Sequence, residues 1–238
     1  MRRFKKGTFL AATFIVGAVL STAHGRPRAD GARRVSRSTL CITEGEISET
    51  GESVLAVDVS KMRAYVNAWT AQDVEARFTY LGPTAQEARL GSGEMRRQFG
   101  LKLRAQDACN LVYAIWRIEP ESKLVVSVKS NPGQSTSSEC SNHGYRNVKP
   151  RRSSPVPALR PGAQHTLRAV MNADELTVSV DGVAVWEGSV GADAGGLRGP
   201  VGIRSDNARL QIQLMAGQSR ETHPDYVVAC KKGPGESE

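Results

Sequence analysis

Apolar and polar residues alternate along much of the chain after residue 38, and this alternation predicts β-strands. Every second residue is apolar in 73–80, in 98–104 and in 208–214. A period of two places the apolar side chains on one face of a strand, where they can be buried. Residues 110–118 are apolar on both faces, which is typical of a central strand. Further strands are predicted at 123–129, 165–169, 176–180, 183–186, 199–205 and 226–230.

Turn-forming residues separate these strands. Asp181-Gly182 lies between two alternating runs, and such a pair indicates a hairpin because a type I′ turn needs positive φ at both central residues. Asp206-Asn207 is a second turn-prone pair. Only 62–69 and 85–97 leave room for a short helix. Many short strands between glycine-rich turns predict an all-β fold, a two-sheet antiparallel sandwich.

The first 25 residues have the pattern of a secretory signal peptide. A basic segment at 1–6 precedes a largely apolar run of 14 residues at 7–20, and small residues at 21–25 suit cleavage. As a helix this run would be about 21 Å long, which is short of the ~30 Å hydrocarbon core of a membrane. We therefore expect cleavage rather than anchoring, and a mature protein that is secreted or periplasmic with no integral membrane span.

The mature chain is expected to form a single β-sandwich domain at 38–232 and to be a monomer. A flexible basic arm at 26–37 precedes the domain, a disordered tail at 233–238 follows it, and a long structureless loop occupies 130–164. The net charge of +8 comes entirely from the first 37 residues, since 38–238 hold 23 basic and 23 acidic residues. A domain without net charge argues against a nucleic-acid partner.

Four cysteines in the mature chain predict two disulfides in an oxidising compartment. Four cysteines allow three connectivities. We favour Cys41–Cys230, which would join the two ends of the domain, and Cys109–Cys140, which would close a local loop. Their spacings are too wide for C-x-x-C zinc or redox motifs.

Two groups of segments resemble a known fold family. Residues 99–105, 109–118 and 125–131 are similar to the middle strands of secreted proteins of the concanavalin A-like lectin/glucanase superfamily. The run at 165–214, in which Gly199-Pro-Val-Gly-Ile-Arg204 follows the Asp-Gly hairpin, resembles the closing strands of laminin-G-like and 3-keto-disaccharide hydrolase-like jelly rolls. The resemblance implies a jelly-roll sandwich with neighbouring first and last strands, and a superfamily that mostly binds or cleaves glycans.

The sequence lacks the carboxylate motif E-x-D-x-x-E that glycosidases of this superfamily typically carry. Glu119 and Glu121 share a face but flank Pro120 at a strand end, which favours solvated turn residues over a catalytic pair. The histidines are scattered and form no metal-binding motif, so no cofactor is expected. The resemblance to laminin-G-like domains leaves open a calcium site near Asp206 and Asn207, although such a pair more often serves a turn.

Strand alternation brings basic and aromatic residues together on one sheet face. If the strands at 98–104, 110–118 and 123–129 are neighbours, their outward side chains and the following loop form one surface. Tyrosine can stack on the C–H face of a sugar, and Arg and Lys can bind hydroxyls or carboxylates. A cationic surface favours uronate or sulfated glycans; the alternative is a solvated face balanced by neighbouring acids. The candidate ligand-binding residues are Lys102, Arg104, Tyr113, Arg117, Lys129 and Tyr145.

These observations favour a secreted, non-catalytic carbohydrate-binding sandwich whose expected ligands are acidic glycans. One alternative is a polysaccharide-cleaving hydrolase or lyase on the same fold. A lyase needs a cation for the uronate carboxylate and a side chain that acts as a base, roles for which Arg117, Tyr113 and His143 are candidates. The other alternative is a structural envelope domain without a ligand.

Overall fold

The computed structural model describes residues 31–67 and 71–217, together with Met1 and Cys230. The rest of the expected signal peptide, residues 26–30 of the arm, the tail at 233–238 and residues 226–229 of the last predicted strand lie outside the described residues. Within the described ranges, no helix is long and apolar enough to cross a membrane.

The described residues form a sandwich of two antiparallel sheets, as the alternation predicts. Sheet A has the strand order β11–β14–β13–β12–β6–β16–β4–β3, with β1 beside the end of β16, and sheet B has the order β10–β9–β8–β7–β15–β5–β2. The strands of sheet A are β1 (Arg33–Val35), β3 (Ser48–Thr50), β4 (Val54–Val57), β6 (Asp73–Pro83), β11 (Arg152–Ser153), β12 (Gln164–Asn172), β13 (Glu175–Val180), β14 (Val183–Ser189) and β16 (Ala208–Ala216). Those of sheet B are β2 (Leu40–Glu44), β5 (Lys61–Val66), β7 (Arg97–Leu103), β8 (Leu111–Glu119), β9 (Lys123–Lys129), β10 (Tyr145–Asn147) and β15 (Gly202–Asp206). The helical segments are a 3₁₀ turn (Arg37–Thr39), α1 (Ser137–Cys140) and α2 (Ala192–Gly196).

The inner faces of the two sheets enclose one apolar core. The ring centroid of Phe78 in β6 lies 4.8 Å from that of Phe99 in β7 and 5.9 Å from that of Trp116 in β8, so these rings connect the sheets. Most other core side chains are aliphatic, in keeping with an aromatic content of 5%. Because side chains alternate along each strand, the core also determines which residues of sheet B point outward.

Both predicted turns are present. Asp181 and Gly182 have φ values of 50° and 83° and connect β13 to β14, as a type I′ turn requires. Asn207, with a φ of 54°, carries the chain from β15 in sheet B to β16 in sheet A. The chain therefore changes sheets directly after Asp206.

The structure corrects the expectation of a flexible arm extending to residue 37. Arg33–Val35 form β1, which pairs with the end of β16, and the side chain of Val35 is fully buried. The segment at 33–37 is therefore part of the sandwich, because β16 offers it a strand edge that the local sequence does not reveal.

The loop at 130–164 is also more ordered than expected, since it contains α1, β10 and β11. Arg151 pairs with Glu175 at 2.9 Å, and Arg152 pairs with Glu187, so the basic residues of this loop fasten it to sheet A. Where the structure describes them, the segments considered for a helix are not helical: 61–66 form β5, which pairs with β2 and β15, and 84–96 are irregular, while 68–69 lie outside the described residues. Strand pairing here overrides local propensity.

The disulfides are Cys41–Cys230 and Cys109–Cys140, the connectivity favoured from the sequence. The first joins β2 to a residue beyond the end of β16. The second joins the segment before β8 to the last residue of α1. The second bond therefore anchors the segment that leads into β10.

Candidate functional site

The outer face of sheet B collects most of the candidate residues. In β7, β8 and β9, the side chains that alternation predicts to be inward belong to the core. Lys102 and Tyr113 lie on the opposite face as direct neighbours across β7 and β8. Because β15 lies between β7 and β5, Arg204 and Arg63 share this face with them.

Positive charge is concentrated on this face. The outward side chains of sheet B include seven Lys and Arg but only two carboxylates. This count leaves out Arg97 and Glu119, which form an ion pair at the strand ends. By contrast, the outward charges of β6, β12, β13, β14 and β16 in sheet A are three arginines and four carboxylates. The charged residues on sheet B are Lys61, Arg63, Lys102, Arg117, Lys123, Lys129 and Arg204, with the carboxylates Glu44 and Asp206.

Tyr113, Tyr145 and Arg204 form the centre of this face, here called the tyrosine–arginine cluster. The two tyrosine rings are stacked, with centroids 6.0 Å apart and planes inclined by 25°. The guanidinium carbon of Arg204 lies 5.3 Å from the centroid of the Tyr113 ring, which is a cation–π distance. Its Nη1 donates a hydrogen bond of 3.4 Å to the Tyr145 hydroxyl. Tyr145 is 39% exposed and Tyr113 only 5%, so Tyr145 presents the cluster to solvent.

The surroundings of the two tyrosines shift their pKa values in opposite directions. Burial, with a smaller contribution from Tyr145, raises the pKa of Tyr113. Burial would also raise the pKa of Tyr145, but the charges of Arg204 and Lys129 outweigh it and hold that pKa below its ordinary value. A hydrogen bond from Tyr113 to Tyr145 raises the pKa of Tyr113 further and lowers that of Tyr145 further. The more exposed tyrosine is therefore the more acidic one.

A buried carboxylate orients Arg204. Nε of Arg204 donates to Oδ2 of Asp206 at 2.9 Å, and Nε2 of Gln98 donates to the same oxygen at 2.7 Å. Nη2 of Arg63 donates to Oδ1 of Asp206 at 2.6 Å. Burial would raise the pKa of the Asp206 carboxyl, but the two arginines and Gln98 outweigh burial and hold it far below its usual range. This network directs a charged guanidinium toward the tyrosines.

Lys129 supports the cluster rather than facing solvent. Its ammonium lies 5.2 Å from the centroid of the Tyr145 ring and donates to the carbonyls of Ala108 at 3.2 Å and Ser141 at 2.8 Å. The side chain is only 4% exposed. The expectation that Lys129 contacts a ligand is therefore corrected, because its ammonium is used to clamp two loops. Lys102 is also buried, at 7% exposure.

Arg104 and Arg117 lie away from the cluster, towards opposite ends of β7 and β8. Arg104 follows β7 with a φ of 47°, and its guanidinium donates to the carbonyls of Gly195 and Leu197. It therefore fastens the α2 segment rather than joining the tyrosines. Arg117 lies on the outward side of β8, four residues beyond Tyr113. The structure thus brings four of the six candidates together, the two tyrosines with the buried Lys102 and Lys129, and leaves Arg104 and Arg117 apart from them.

The turn that precedes Tyr145 is stabilised by residues that the sequence analysis did not single out. Nδ2 of Asn131 donates to the carbonyl of Cys109 at 3.2 Å, and its backbone N–H donates to Oδ1 of Asn110 at 2.8 Å. Gly144 has a φ of 77°, and a Cβ there would lie 2.4 Å from Nδ2 of Asn131, so this position requires glycine. Glycines and asparagines in a polar loop, here Asn131, Asn142 and Gly144, are the weak signals that mark such a turn.

The remaining sequence candidates have structural partners. Oδ1 of Asn207 accepts from the backbone N–H of Ala88 at 2.8 Å, and both oxygens of Asp206 are occupied, so this pair serves the turn rather than offering free ligands for calcium. Across the described part of the chain, no group of three or more His, Cys, Asp and Glu is arranged to hold a metal ion. Glu119 pairs with Arg97, and Glu121 with Lys123 at 2.7 Å. His143 is exposed on the loop before β10.

A solved structure of a carbohydrate-binding module is similar in fold to this chain. The carbohydrate-binding module CBM66 from Bacillus subtilis matches with a TM-score of 0.50 and 13% identity, covering 74% of this chain and 92% of the module. The Emp46p carbohydrate recognition domain matches with a TM-score of 0.48 and 10% identity over 76% of this chain and 88% of its own. At 13% identity the likeness to the module shows the fold alone, a two-sheet antiparallel jelly-roll sandwich. No protein-family model and no curated protein matches the sequence.

Proposed function

We propose that this concanavalin A-like jelly roll binds acidic glycans on the outer face of sheet B. The observation that carries the proposal is the tyrosine–arginine cluster, in which the exposed Tyr145 lies within hydrogen-bond distance of Arg204. A tyrosine ring offers a stacking surface to a sugar, and a guanidinium offers paired donors to a carboxylate or sulfate. One position therefore combines the two contacts that an acidic sugar needs.

The charge of the surrounding surface supports an anionic ligand. Glu44 and Asp206, the two outward carboxylates, are already paired with Arg63 and Arg204. The remaining Lys and Arg side chains give the face a positive potential, which attracts anions and adds little for a neutral sugar. Sheet A, whose outward charges nearly balance, offers no such preference.

The location of the protein is part of the same proposal. Two disulfides are in keeping with an oxidising compartment. Together with the signal-peptide pattern at 1–25, they support a secreted or periplasmic protein. Mass spectrometry of the exported protein should find an N-terminus after Ala23 or Gly25, and a chain that keeps residues 1–25 after export would contradict this.

Calorimetric titration with a soluble polyuronate and with a sulfated polysaccharide tests the binding. Tyr145→Ala removes the exposed stacking surface and should weaken binding at least about tenfold, the loss expected for one such contact, with little change in unfolding temperature. Gln211→Ala, an exposed position on the outward side of β16, is the matched control and should bind like the wild type. Equal affinity of all three proteins, or binding of neither polymer by the wild type, would contradict the proposal.

A second candidate function, cleavage of a bound uronate chain by β-elimination, is favoured by the lowered pKa of Tyr145. With Arg204 on the uronate carboxylate, ionised Tyr145 would take the proton from the carbon that bears the carboxylate. The electron pair of that C–H bond would form a carbon–carbon double bond as the adjacent C–O bond to the leaving sugar breaks. The proton would then pass from Tyr145 to the leaving oxygen, and the product would be an unsaturated uronate.

Tyr145→Phe separates the two functions, because it keeps the ring and removes the hydroxyl. It should retain binding and abolish cleavage. Ultraviolet absorbance of unsaturated products with the wild type, and none with Tyr145→Phe, would support a lyase. A polymer that the wild type binds without releasing unsaturated products would exclude β-elimination on that polymer.

A further inference from the structure

Arg117 lies at a distance from Tyr113 that a single sugar does not span. Both side chains are on the outward side of β8, four residues apart. At ~3.4 Å per residue their Cα atoms are about 14 Å apart. Arg117 pairs with Gln98, and Gln98 lies beside Asp206, so this row connects Arg117 to the network that holds Arg204.

On β7, β8 and β9, the outward residues of the row between these two positions are apolar side chains or glycine. Ile115 lies midway along β8 and is flanked by Val125 of β9 and Gly100 of β7. A Cβ at Gly100 would lie 2.6 Å from Cδ1 of Ile115 and 2.3 Å from the carbonyl oxygen of Ala114, so a larger residue does not fit there. Ile115 therefore extends over the glycine and is itself only 6% exposed, while Val125 beside it is partly exposed. The accessible apolar surface between the two positions is thus small and centred on Val125, and it suits the C–H face of a sugar ring.

The guanidinium of Arg117 is half-buried, and within the described ranges it takes part in no hydrogen bond or ion pair. Burial, together with the like charge of Arg96, lowers the pKa of Arg117. The nearby carboxylates have closer partners, since Glu94 pairs with Arg96 and Glu121 pairs with Lys123. A partly desolvated cation beside a like charge is stabilised by an incoming anion.

We propose that Arg117 is a second anion-binding position, and that the ligand is a chain of several acidic sugars reaching from the tyrosine–arginine cluster to Arg117. This inference rests on the proposed function of that cluster. A chain along β8 and β9 would place one carboxylate or sulfate at each end and a ring face over Val125, beside Ile115. The protein would therefore recognise segments of an acidic polysaccharide rather than single sugars.

Calorimetric titrations with uronate oligomers of increasing length, and with a parallel series of sulfated oligomers, test the inference. For the wild type, affinity should rise at the length that bridges the two positions and then level off. Arg117→Gln should bind the long oligomers about tenfold more weakly, the loss of one charge-assisted contact, and the short ones unchanged. Arg77→Gln, an exposed arginine on the outward side of β6 in sheet A, is the control for the loss of one positive charge and should match the wild type at every length.

The possible failures are distinguishable. If Arg117→Gln binds every length like the wild type, or weakens all lengths equally, Arg117 is not a separate anion position and the inference is overturned. If the wild type binds no oligomer and no polymer of either series, the proposed function itself fails. The series that shows the length-dependent loss identifies the anionic group as carboxylate or sulfate.

Discussion

Arg204 donates a 3.4 Å hydrogen bond to Tyr145 although their strands, β15 and β10, are separated by β7, β8 and β9. With strands about 4.8 Å apart, a flat sheet would place the two backbones about 19 Å from each other, beyond the combined reach of the two side chains. Sheet B therefore curves toward its outer face and makes that face concave. The same contact defines both the groove and the centre of the proposed site.

Neutralising Asp206 should destabilise the fold. Asp206→Asn keeps the shape of the side chain but leaves Arg63 and Arg204 without their counter-charge. Breaking a buried ion pair costs about 3–5 kcal/mol, and because both arginines keep 14% exposure we expect the lower end. Urea denaturation at neutral pH measures the change. Glu121→Gln, which breaks an exposed pair, should leave the free energy of unfolding unchanged, and an equal loss in both variants would contradict the account.

The effect of Asp206→Asn should also depend on pH. The folded pKa of Asp206 lies far below its ordinary value of 3.8, so the unfolded chain takes up this proton first as the pH falls. The stabilisation is thus complete above about pH 5 and is lost progressively below that, towards the folded pKa. The difference between wild type and Asp206→Asn should shrink over this range. A difference that stays constant on acidification would show that the charge of Asp206 is not its cause.

Gly100→Ala should destabilise the protein by about 1–3 kcal/mol, the usual cost of overpacking a tightly packed site. The new methyl group would overlap the carbonyl oxygen of Ala114 and the side chain of Ile115. Gly196→Ala in α2 is the matched control, since its Cβ meets no atom within 4 Å and its φ is ordinary. Thermal unfolding of both variants decides the matter, and similar melting temperatures would refute the close approach.

The two disulfides should differ in what they support. Replacing Cys41 and Cys230 by Ala opens a loop with a sequence separation of 189, against 31 for Cys109 and Cys140, so chain entropy predicts losses of about 5 and about 4 kcal/mol. The loss of glycan affinity should be larger for the variant that lacks Cys109–Cys140, because only this disulfide anchors the segment leading to Tyr145. Titrations well below the melting temperature test this, and equal affinity of the two double variants would contradict it.

Lys129→Met should raise the pKa of Tyr145, because it removes one of the positive charges that favour the ionised phenol. Spectrophotometric titration of tyrosine ionisation measures the shift, with Tyr145→Phe identifying the signal. Lys61→Met, on the same face but outside the surroundings of Tyr145, is the control and should leave the titration unchanged. An unchanged titration in Lys129→Met would show that its ammonium does not act on the ring.

Much of the fold could be predicted because alternation is a local property. The inward and outward faces of β7, β8 and β9 and the hairpin at Asp181-Gly182 follow from short patterns. Counting cysteines gives the number of disulfides, while their connectivity was a choice among three that the structure confirms. Lys61–Val66 alternates equally well, yet its helix-forming residues permitted a helix. Its pairing with both β2 and β15 makes it a strand, and those partners are distant in sequence.

Only part of the site could be predicted, because a sequence pattern does not show which distant strands become neighbours in a sheet. Tyr113 and Tyr145 were identified because their strand and loop follow one another in the chain. Arg204 was not, because β15 enters sheet B between β7 and β5 from a segment about one hundred residues beyond β7, a strand order that spacing does not encode. Lys129 is a basic residue on the outward face of its strand, which is why the sequence suggested a ligand contact. The structure shows that its ammonium is instead bound by the carbonyls of two loops.

The central claim, that the outer face of sheet B recognises the negative charge of a glycan, is tested most directly with one polymer in two forms. The wild type is titrated with a polyuronate and with the same polymer after its carboxylates have been reduced to alcohols. We predict binding to the charged form that weakens as salt is added, and no measurable binding to the reduced form. Equal affinity for the two forms would contradict the claim.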